Sequence, residues 1–165
     1  MALLFWDASA LAKRYFGEVG SPTVNAVFAS RGAHEMASTP WGYAETYSIL
    51  LRRYNNGVLD RPTFTTVTTA LQVEVVNGPD FGLLTITDAV VFGSIATMQA
   101  HHLNATDAAI LTPLLEFSQS PDAPLCVLIA SDQRLLRAAQ AEGFPTLNPE
   151  TLPAADVAAF LASLA

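Results

Sequence analysis

The chain has 165 residues, of which 51% are hydrophobic and 14% charged, and this composition excludes an intrinsically disordered protein. The length fits one domain with a full-sized core, so we expect a single domain over residues 1–165. Fifteen acidic residues against eight Lys and Arg give a formal charge of −7, which argues against a protein that coats nucleic acid electrostatically. An enzyme that cuts nucleic acid is not excluded, because carboxylates can form its catalytic apparatus.

The alternation of short apolar runs with stretches of helical periodicity predicts an α/β fold, a three-layer α/β/α sandwich around a mostly parallel sheet. In chain order, the predicted strands cover residues 3–6, 34–37, 83–86, 125–130 and 145–147. One predicted helix opens at residues 21–22, and the others cover about 40–56, 60–76, 88–101, 104–118, 132–142 and 153–164.

The compartment is indicated by the N-terminus, the apolar runs and the cysteine. Residues 1–5 contain no basic side chain, and Asp7 interrupts the apolar stretch, so no signal peptide is expected. No segment reaches the roughly 18 uncharged apolar residues of a membrane span. The single cysteine, Cys126, lies in an apolar run and is expected to be a buried thiol in a reducing compartment. These features predict a cytoplasmic protein without a membrane segment.

Three aspartates share one local pattern. Asp7 directly follows the first predicted strand, Asp132 closely follows the fourth, and Asp107 opens a helix. Apolar or alanine residues lie three and four positions after each of them, on one helix face. Taken singly, Asp7 and Asp132 are better explained as helix caps than as catalytic residues, whereas Asp107 is explained equally well by either role. The carboxyl ends of parallel strands nevertheless open on one edge of the sheet, where such folds bind ligands.

Convergence of these acids would have an electrostatic consequence. Two carboxylates ~5 Å apart repel by about 3 kcal/mol at an effective dielectric constant near 20. Such a cluster holds either a proton or a cation. Oxygen ligands alone favour Mg²⁺ or Mn²⁺ over Zn²⁺.

Other polar residues give weaker signals. Glu45 lies away from the apolar face of its predicted helix, so the pattern alone indicates a solvated surface acid. His101 and His102 are adjacent, and neighbours on a helix diverge by about 100°, which argues against a shared metal site. A phosphatase that forms an aspartyl-phosphate also begins with a strand that ends in Asp, but it needs a second Asp where this chain has Ser9.

Four segments resemble, in order and spacing, the motifs of the PIN-domain family. They are residues 4–15, 39–45, 103–111 and 128–139, which contain Asp7, Glu45, Asp107 and Asp132 respectively. Each motif is weak alone, but four in register are specific. The resemblance spans about residues 3–147 and points to the VapC-type toxins of bacterial toxin–antitoxin pairs.

The resemblance implies a metal-dependent endoribonuclease in which the four acids surround one or two Mg²⁺ or Mn²⁺ ions. By this resemblance, Asp7 and Asp107 are direct metal ligands, and Asp132 is a ligand directly or through water. Glu45 would hold a metal-bound water or accept its proton. The expected partners are an RNA substrate, a second copy of the chain in a homodimer, and a cognate antitoxin protein.

Four further residues are candidates around these acids. Ser9 and Ser131 are placed to orient the carboxylates by hydrogen bonds, and Arg14 and Arg52 are candidates for RNA contact because they share helix faces with Asp7 and Glu45 respectively. The alternative function is a PIN-like binding module, catalytically weak or inactive, that acts through protein partners. A mean hydropathy of +0.32 is consistent with an interface beyond the monomer core.

Overall fold

The centre of the fold is a five-stranded parallel sheet, seen here in a computed structural model that describes residues 1–30, 32 and 34–164. Each pair of neighbouring strands runs parallel, in the spatial order β3-β2-β1-β4-β5. The strands are β1 (Ala2–Trp6), β2 (Glu35–Ser38), β3 (Phe81–Leu83), β4 (Leu125–Ile129) and β5 (Thr146–Leu147).

Eight α-helices flank the sheet in the described part of the chain. They are α1 (Ala8–Leu11), α2 (Ser21–Ala29), α3 (Pro40–Asn55), α4 (Arg61–Leu71), α5 (Asp88–His101), α6 (Ala105–Ser118), α7 (Gln133–Ala141) and α8 (Val157–Ala162). Short 3₁₀ turns cover Ala12–Arg14 and Ala154–Asp156, and a π-helical turn over Gln72–Val76 extends α4. None of the described helices combines the length and apolar character needed to cross a membrane.

Two apolar cores lie on opposite faces of the sheet, and the residues of β1 alternate between them. Leu4 and Trp6 join a core that includes α2, α3, α4 and α8, whereas Leu3 and Phe5 join a core formed with α6 and α7. The structure is therefore the predicted α/β/α sandwich. Since both faces of the sheet are covered, the central strands are continuous apolar runs rather than alternating ones.

The direction in which strands are added reverses between β1 and β4. The chain builds outward from β1 through β2 to β3, then returns to the other side of β1 for β4 and β5. In open α/β sheets, the carboxyl ends of the strands at such a reversal border the ligand-binding crevice. Trp6 pairs with Ile129, and the Asp7 N–H donates to the Ile129 carbonyl at 3.0 Å. The two chain segments therefore leave the sheet side by side.

Three elements differ from their predicted bounds by more than one residue. The third strand was predicted at 83–86 but covers Phe81–Leu83, because it begins one residue after the Asn-Gly-Pro sequence at 77–79 and Phe81 is buried beside Met36. The helix predicted to reach residue 76 widens into a π turn from Gln72. The last helix is α-helical only over Val157–Ala162, after a 3₁₀ turn.

Cys126 is buried in β4, as predicted. Its Sγ lies 3.4 Å from the Pro124 carbonyl, to which it donates, and burial raises the pKa of the thiol. A protonated, inaccessible thiol is unreactive, so Cys126 contributes to packing rather than chemistry.

The turn between α5 and α6 has an unusual backbone. His102, directly after α5, has φ 53° and ψ 38°, and among the described residues it is the one non-glycine with positive φ. Glycine is the usual residue in this left-handed conformation at a helix end, because a Cβ is disfavoured there. The turn allows Leu103 to be buried and Asn104 to cap α6.

The left-handed turn predicts that the fold is more stable with glycine than with alanine at position 102. We expect the free energy of unfolding of His102→Gly to exceed that of His102→Ala by about 1 kcal/mol, because alanine keeps the strained Cβ and glycine removes it. Urea denaturation of both variants measures the difference. Equal stabilities would show that the turn is not strained.

Candidate active site

The four acids of the resembling motifs line one cavity at the carboxyl edge of the sheet. Asp7 follows β1, Asp132 lies just after β4, Glu45 is on α3, and Asp107 lies in the first turn of α6. The cavity has a volume of about 230 Å³, and it is lined by Asp7, Ala8, Ser9, Glu45, Ser48, Ile49, Arg52, Asp107 and Asp132. Side chains from four separate chain segments therefore meet at the reversal between β1 and β4.

Asp7 is the most buried of these acids, at 6% exposure. It caps α1, and its Oδ2 accepts hydrogen bonds from the Ser9 backbone N–H at 2.9 Å and from the Ser9 hydroxyl. Burial raises the pKa of the Asp7 carboxyl, and repulsion from Asp132 adds to this rise, whereas the hydrogen bonds from Ser9 act in the opposite direction. The local structure thus fixes one oxygen of Asp7 firmly.

Ser9 also connects the segment after β1 to the segment after β4. Its Oγ accepts hydrogen bonds from the backbone N–H groups of Ser131 at 2.9 Å and Asp132 at 3.3 Å. The Ser131 hydroxyl, by contrast, is buried and has no hydrogen-bond partner among the described residues. Of the two serines predicted to orient the acids, Ser9 contacts a carboxylate with its side chain, and Ser131 takes part through its backbone.

Asp132 is both a helix cap and a lining residue of the cavity. Its Oδ1 accepts hydrogen bonds from the N–H groups of Arg134 at 2.7 Å and Leu135 at 3.2 Å, at the start of α7. Asp132 can therefore cap the helix and line the cavity at the same time, because one of its oxygens caps the helix while the carboxylate lines the cavity.

Asp107 is held by a reciprocal pair of hydrogen bonds with Asn104, the cap of α6. Its N–H donates to Asn104 Oδ1, and its Oδ2 accepts from Asn104 Nδ2, both at 2.8 Å. Burial, followed by repulsion from Asp132 and Asp7, raises the pKa of Asp107 to about 6. Asn104 was not among the predicted site residues, although a polar cap with an acid three positions later is a recognisable capping pattern.

Glu45 faces the same acids from α3. Partial burial, followed by repulsion from Asp7 and Asp107, raises its pKa to about 7, and only Arg52 acts in the opposite direction. Arg52 lies two helical turns after Glu45, lines the cavity and donates from Nη1 to the Ser48 hydroxyl at 3.1 Å. The surface-acid interpretation from the helical pattern is not what the structure shows, because a crevice opens beneath this part of α3.

The arginines around the site are arranged differently from the prediction. Arg14 does not line the cavity; its guanidinium pairs with Glu74 at 2.8 and 3.3 Å and lies over the Phe28 ring. Arg134 was not predicted as a site residue, yet its Nη2 lies 4.0 Å from an oxygen of Asp107 and 4.0 Å from one of Asp132. The sequence signal that could have identified Arg134 as a site residue was its position two residues after Asp132, in the first turn of α7.

The lining groups have the chemistry of a hard-cation site. All four acids offer carboxylate oxygens, the donors that Mg²⁺ and Mn²⁺ prefer, and a cation would relieve the repulsion that raises the pKa values of Glu45 and Asp107. Within the described residues, no three His, Cys, Asp or Glu side chains are arranged as a metal-binding group.

Two solved structures with a similar fold come from bacterial toxin systems. VapC20 of Mycobacterium tuberculosis, a toxin that cleaves the sarcin–ricin loop, matches with a TM-score of 0.65 and 16% identity, over 91% of this chain and 99% of that chain. A chain of a toxin–antitoxin complex from Klebsiella pneumoniae matches with a TM-score of 0.52 and 14% identity, over 88% and 97% respectively. No protein-family model and no curated protein matches the chain. The fold is thus that of a VapC-type toxin, as the motif resemblance predicted.

The asymmetry between the two serines gives a testable prediction. Ser9→Ala leaves the N–H groups of Ser131 and Asp132 without their acceptor, so the free energy of unfolding should fall by about 1–3 kcal/mol. Ser131→Ala is the matched control and should be neutral or slightly stabilising, because it removes a hydroxyl without a partner in the described structure. Urea denaturation compares the two; equal losses would contradict the arrangement.

The raised pKa values predict that the stability of the fold decreases as the pH rises. Between the ordinary carboxyl range and pH 7, the folded state keeps protons on Glu45 and Asp107 that the unfolded state has released. The resulting stability is complete below about pH 4 and is lost as the pH rises through about 6 for Asp107 and about 7 for Glu45.

Denaturation midpoints at pH 5 and pH 8 in EDTA test this slope. Glu45→Gln and Asp107→Asn should each flatten it, whereas Asp122→Asn, an exposed acid outside the cavity, should leave it unchanged. A wild type that becomes more stable over this interval would contradict the predicted repulsion.

Proposed function

We propose that this protein is an endoribonuclease that hydrolyses RNA phosphodiesters with the help of Mg²⁺ or Mn²⁺, and that it acts in the cytoplasm as the toxin of a toxin–antitoxin pair. The observation that carries this proposal is the cavity itself. Within the fold of a VapC-type toxin, four carboxylates from separate segments line one crevice at the strand reversal. Helix capping alone gives no reason for these acids to lie together.

Asp7 and Asp107 are the residues assigned to hold the cation directly, with Asp132 as a direct ligand or one through water. When bound, the cation supplies the Lewis acidity that lowers the pKa of an attacking water and stabilises the charge that develops on the phosphate. Ser9 and Asn104 keep the carboxylates of Asp7 and Asp107 in place by hydrogen bonds. Such fixed carboxylates position the reacting groups without reorganisation during the reaction.

Glu45 is assigned to accept the proton of the attacking water. Burial is the largest cause of its raised pKa, and a partly buried carboxylate is a stronger base than an ordinary glutamate. Arg52 lies beside it on the same helix and lines the cavity, where its guanidinium is suited to a phosphate oxygen of the RNA. The two side chains thus combine proton transfer with substrate binding on one face of α3.

The partner proteins follow from the same proposal. The likeness to a chain of a toxin–antitoxin complex supports a cognate antitoxin. Three large apolar side chains on α5, namely Val91, Phe92 and Ile95, are 48%, 72% and 49% exposed. A helix that is apolar on its outer side favours a contact with a second chain, which supports the homodimer.

A second candidate function is a binding module that lacks catalytic activity. One observation favours it: the described acids do not form a ready metal-binding group, and Arg134 already places a cation 4.0 Å from both Asp107 and Asp132. In that case the carboxylates would be neutralised within the protein, and the cavity would serve partner recognition.

Cleavage of structured RNA distinguishes the two candidates. We expect the purified protein, without antitoxin, to cleave in Mg²⁺ or Mn²⁺ and to lose this activity in EDTA. Asp107→Asn should reduce the rate by roughly 100-fold or more, because it removes a charged ligand that is worth several kcal/mol in the transition state.

Asp122→Asn, the same change on an exposed residue outside the cavity, should retain the wild-type rate. A folded wild type that cleaves none of several RNAs would favour the binding module. Equal cleavage by the wild type and Asp107→Asn would place the activity outside this cavity and contradict the proposal.

A further inference from the structure

A second cavity lies beside the acidic one, and its lining is basic. It has a volume of about 330 Å³. Four of its five lining residues are His or Arg, namely His101, His102, Arg134 and Arg137, and the fifth is Ala138. The whole chain has only eight Lys and Arg at a net charge of −7. Two of these eight, together with two of the three histidines, therefore surround one small cavity of an otherwise acidic protein.

The turn after α5 explains how adjacent histidines reach the same cavity. On a continuing helix, neighbouring side chains would diverge by about 100°. The helix ends at His101, and the left-handed conformation of His102 changes the direction of the chain at that residue. Both histidines consequently line the cavity, next to the arginines of α7.

Arg134 joins this cavity to the acidic one. Arg134 lines the basic cavity, and its Nη2 lies 4.0 Å from Asp107 Oδ2 and 4.0 Å from Asp132 Oδ2. Arg137 follows three residues later on α7, is exposed, and forms no salt bridge with any described residue. The charge of Arg137 is therefore available to a ligand, whereas that of Arg134 is shared with the acids.

One carboxylate also approaches the cluster. Glu142 Oε1 lies 2.5 Å from His101 Nε2, and this pair orients the His101 ring. Its negative charge weakens the attraction of an anion to this end of the cavity. The strongest attraction thus lies on the α7 side, at Arg137.

We propose that this basic cavity binds a backbone phosphate of the RNA next to the scissile phosphodiester, an inference that rests on the proposed function. Guanidinium groups bind phosphate oxygens in a bidentate manner, and imidazole N–H groups add donors. A strand whose reacting phosphate lies at the acids carries a neighbouring phosphate past Arg134 into this cavity. Such a contact fixes the position of the strand without reading its sequence.

The local charge answers the objection that the protein is too acidic to hold RNA. A basic cavity that adjoins the reacting site attracts the backbone where binding is productive, while the acidic remainder of the surface repels it. An acidic protein segment would satisfy the same charges. The continuity with the carboxylate cavity through Arg134 favours the RNA strand, because a strand whose reacting phosphate lies in the carboxylate cavity brings its next phosphate to the basic cavity.

RNA binding by an Arg137→Gln variant tests the inference. The probe is a fluorescein-labelled stem–loop RNA, and binding is measured by anisotropy in Mg²⁺, in an Asp107→Asn background that prevents cleavage. Arg137→Gln should weaken binding about 10-fold and lower the slope of log K against log salt by about 1. Arg61→Gln, the same charge change on the exposed first residue of α4, is the matched control and should retain nearly the original affinity.

Two further variants sharpen the result. Arg137→Lys should keep the salt dependence but lose part of the affinity, because lysine retains the charge without the bidentate geometry. Glu142→Gln should tighten binding, because it removes the carboxylate beside His101. Thermal denaturation of each variant confirms that the fold is retained.

The outcomes separate this inference from the nuclease proposal. Arg137→Gln that binds RNA as well as Arg61→Gln, or a background protein that binds no RNA, overturns the basic cavity as a phosphate site whether or not the wild type cleaves. A 10-fold loss in Arg137→Gln with no cleavage by the wild type supports the site and contradicts the nuclease. Binding of a labelled polyglutamate peptide that is as tight as RNA binding and depends on Arg137 overturns the inference in favour of an acidic protein partner.

Discussion

The hydroxyl of Ser9 is the contact on which the arrangement of the site depends. It donates to Asp7 and accepts from the backbone N–H groups of Ser131 and Asp132, which uses its one hydrogen and both acceptor positions. Strand pairing brings the ends of β1 and β4 together, but it does not orient the residues beyond them. The hydroxyl links the two chain segments beyond the paired strands, where they carry Asp7 and Asp132.

The same convergence makes the site electrostatically unfavourable in isolation. Burial and mutual repulsion raise the pKa values of Asp7, Glu45 and Asp107, so the ionised cluster opposes folding. Arg52 and Arg134 compensate in part, each lowering the pKa of one acid. The apolar cores on both faces of the sheet stabilise the fold that carries this cluster. Stability given up at one position for chemistry is typical of functional sites.

Much of the fold could be predicted from the sequence because its determinants are local. Apolar runs indicated the strands, and capping residues and prolines indicated the helix starts. Asp7 and Asp132 were predicted at the sheet edge because a parallel sheet exposes all its carboxyl strand ends together. The third strand was misplaced because β3 has only three residues, and the apolar run beyond it extends into the loop before α5.

Other features depended on contacts that no local pattern encodes. On α3, the apolar side chains of Tyr47 and Leu51 are each 37% exposed, whereas Thr46 is buried and its hydroxyl donates to the Gly42 carbonyl. A buried threonine carries no hydrophobic signal, so the helical pattern misjudged which side of α3 faces inward, and with it the setting of Glu45. Arg14 does not line the cavity and pairs instead with Glu74, which lies 60 residues away in the sequence.

The pairing of β1 with β4 also determines when the site can form. Ser9 and Ser131 are 122 residues apart, and contacts of such separation close late in folding because the intervening chain must first be ordered. On the ribosome, β1 can meet β2 early, but Asp7 cannot meet Asp132 until the chain beyond β4 has emerged. A nascent chain therefore lacks the assembled acid cluster until the segment that carries Asp132 has left the ribosome.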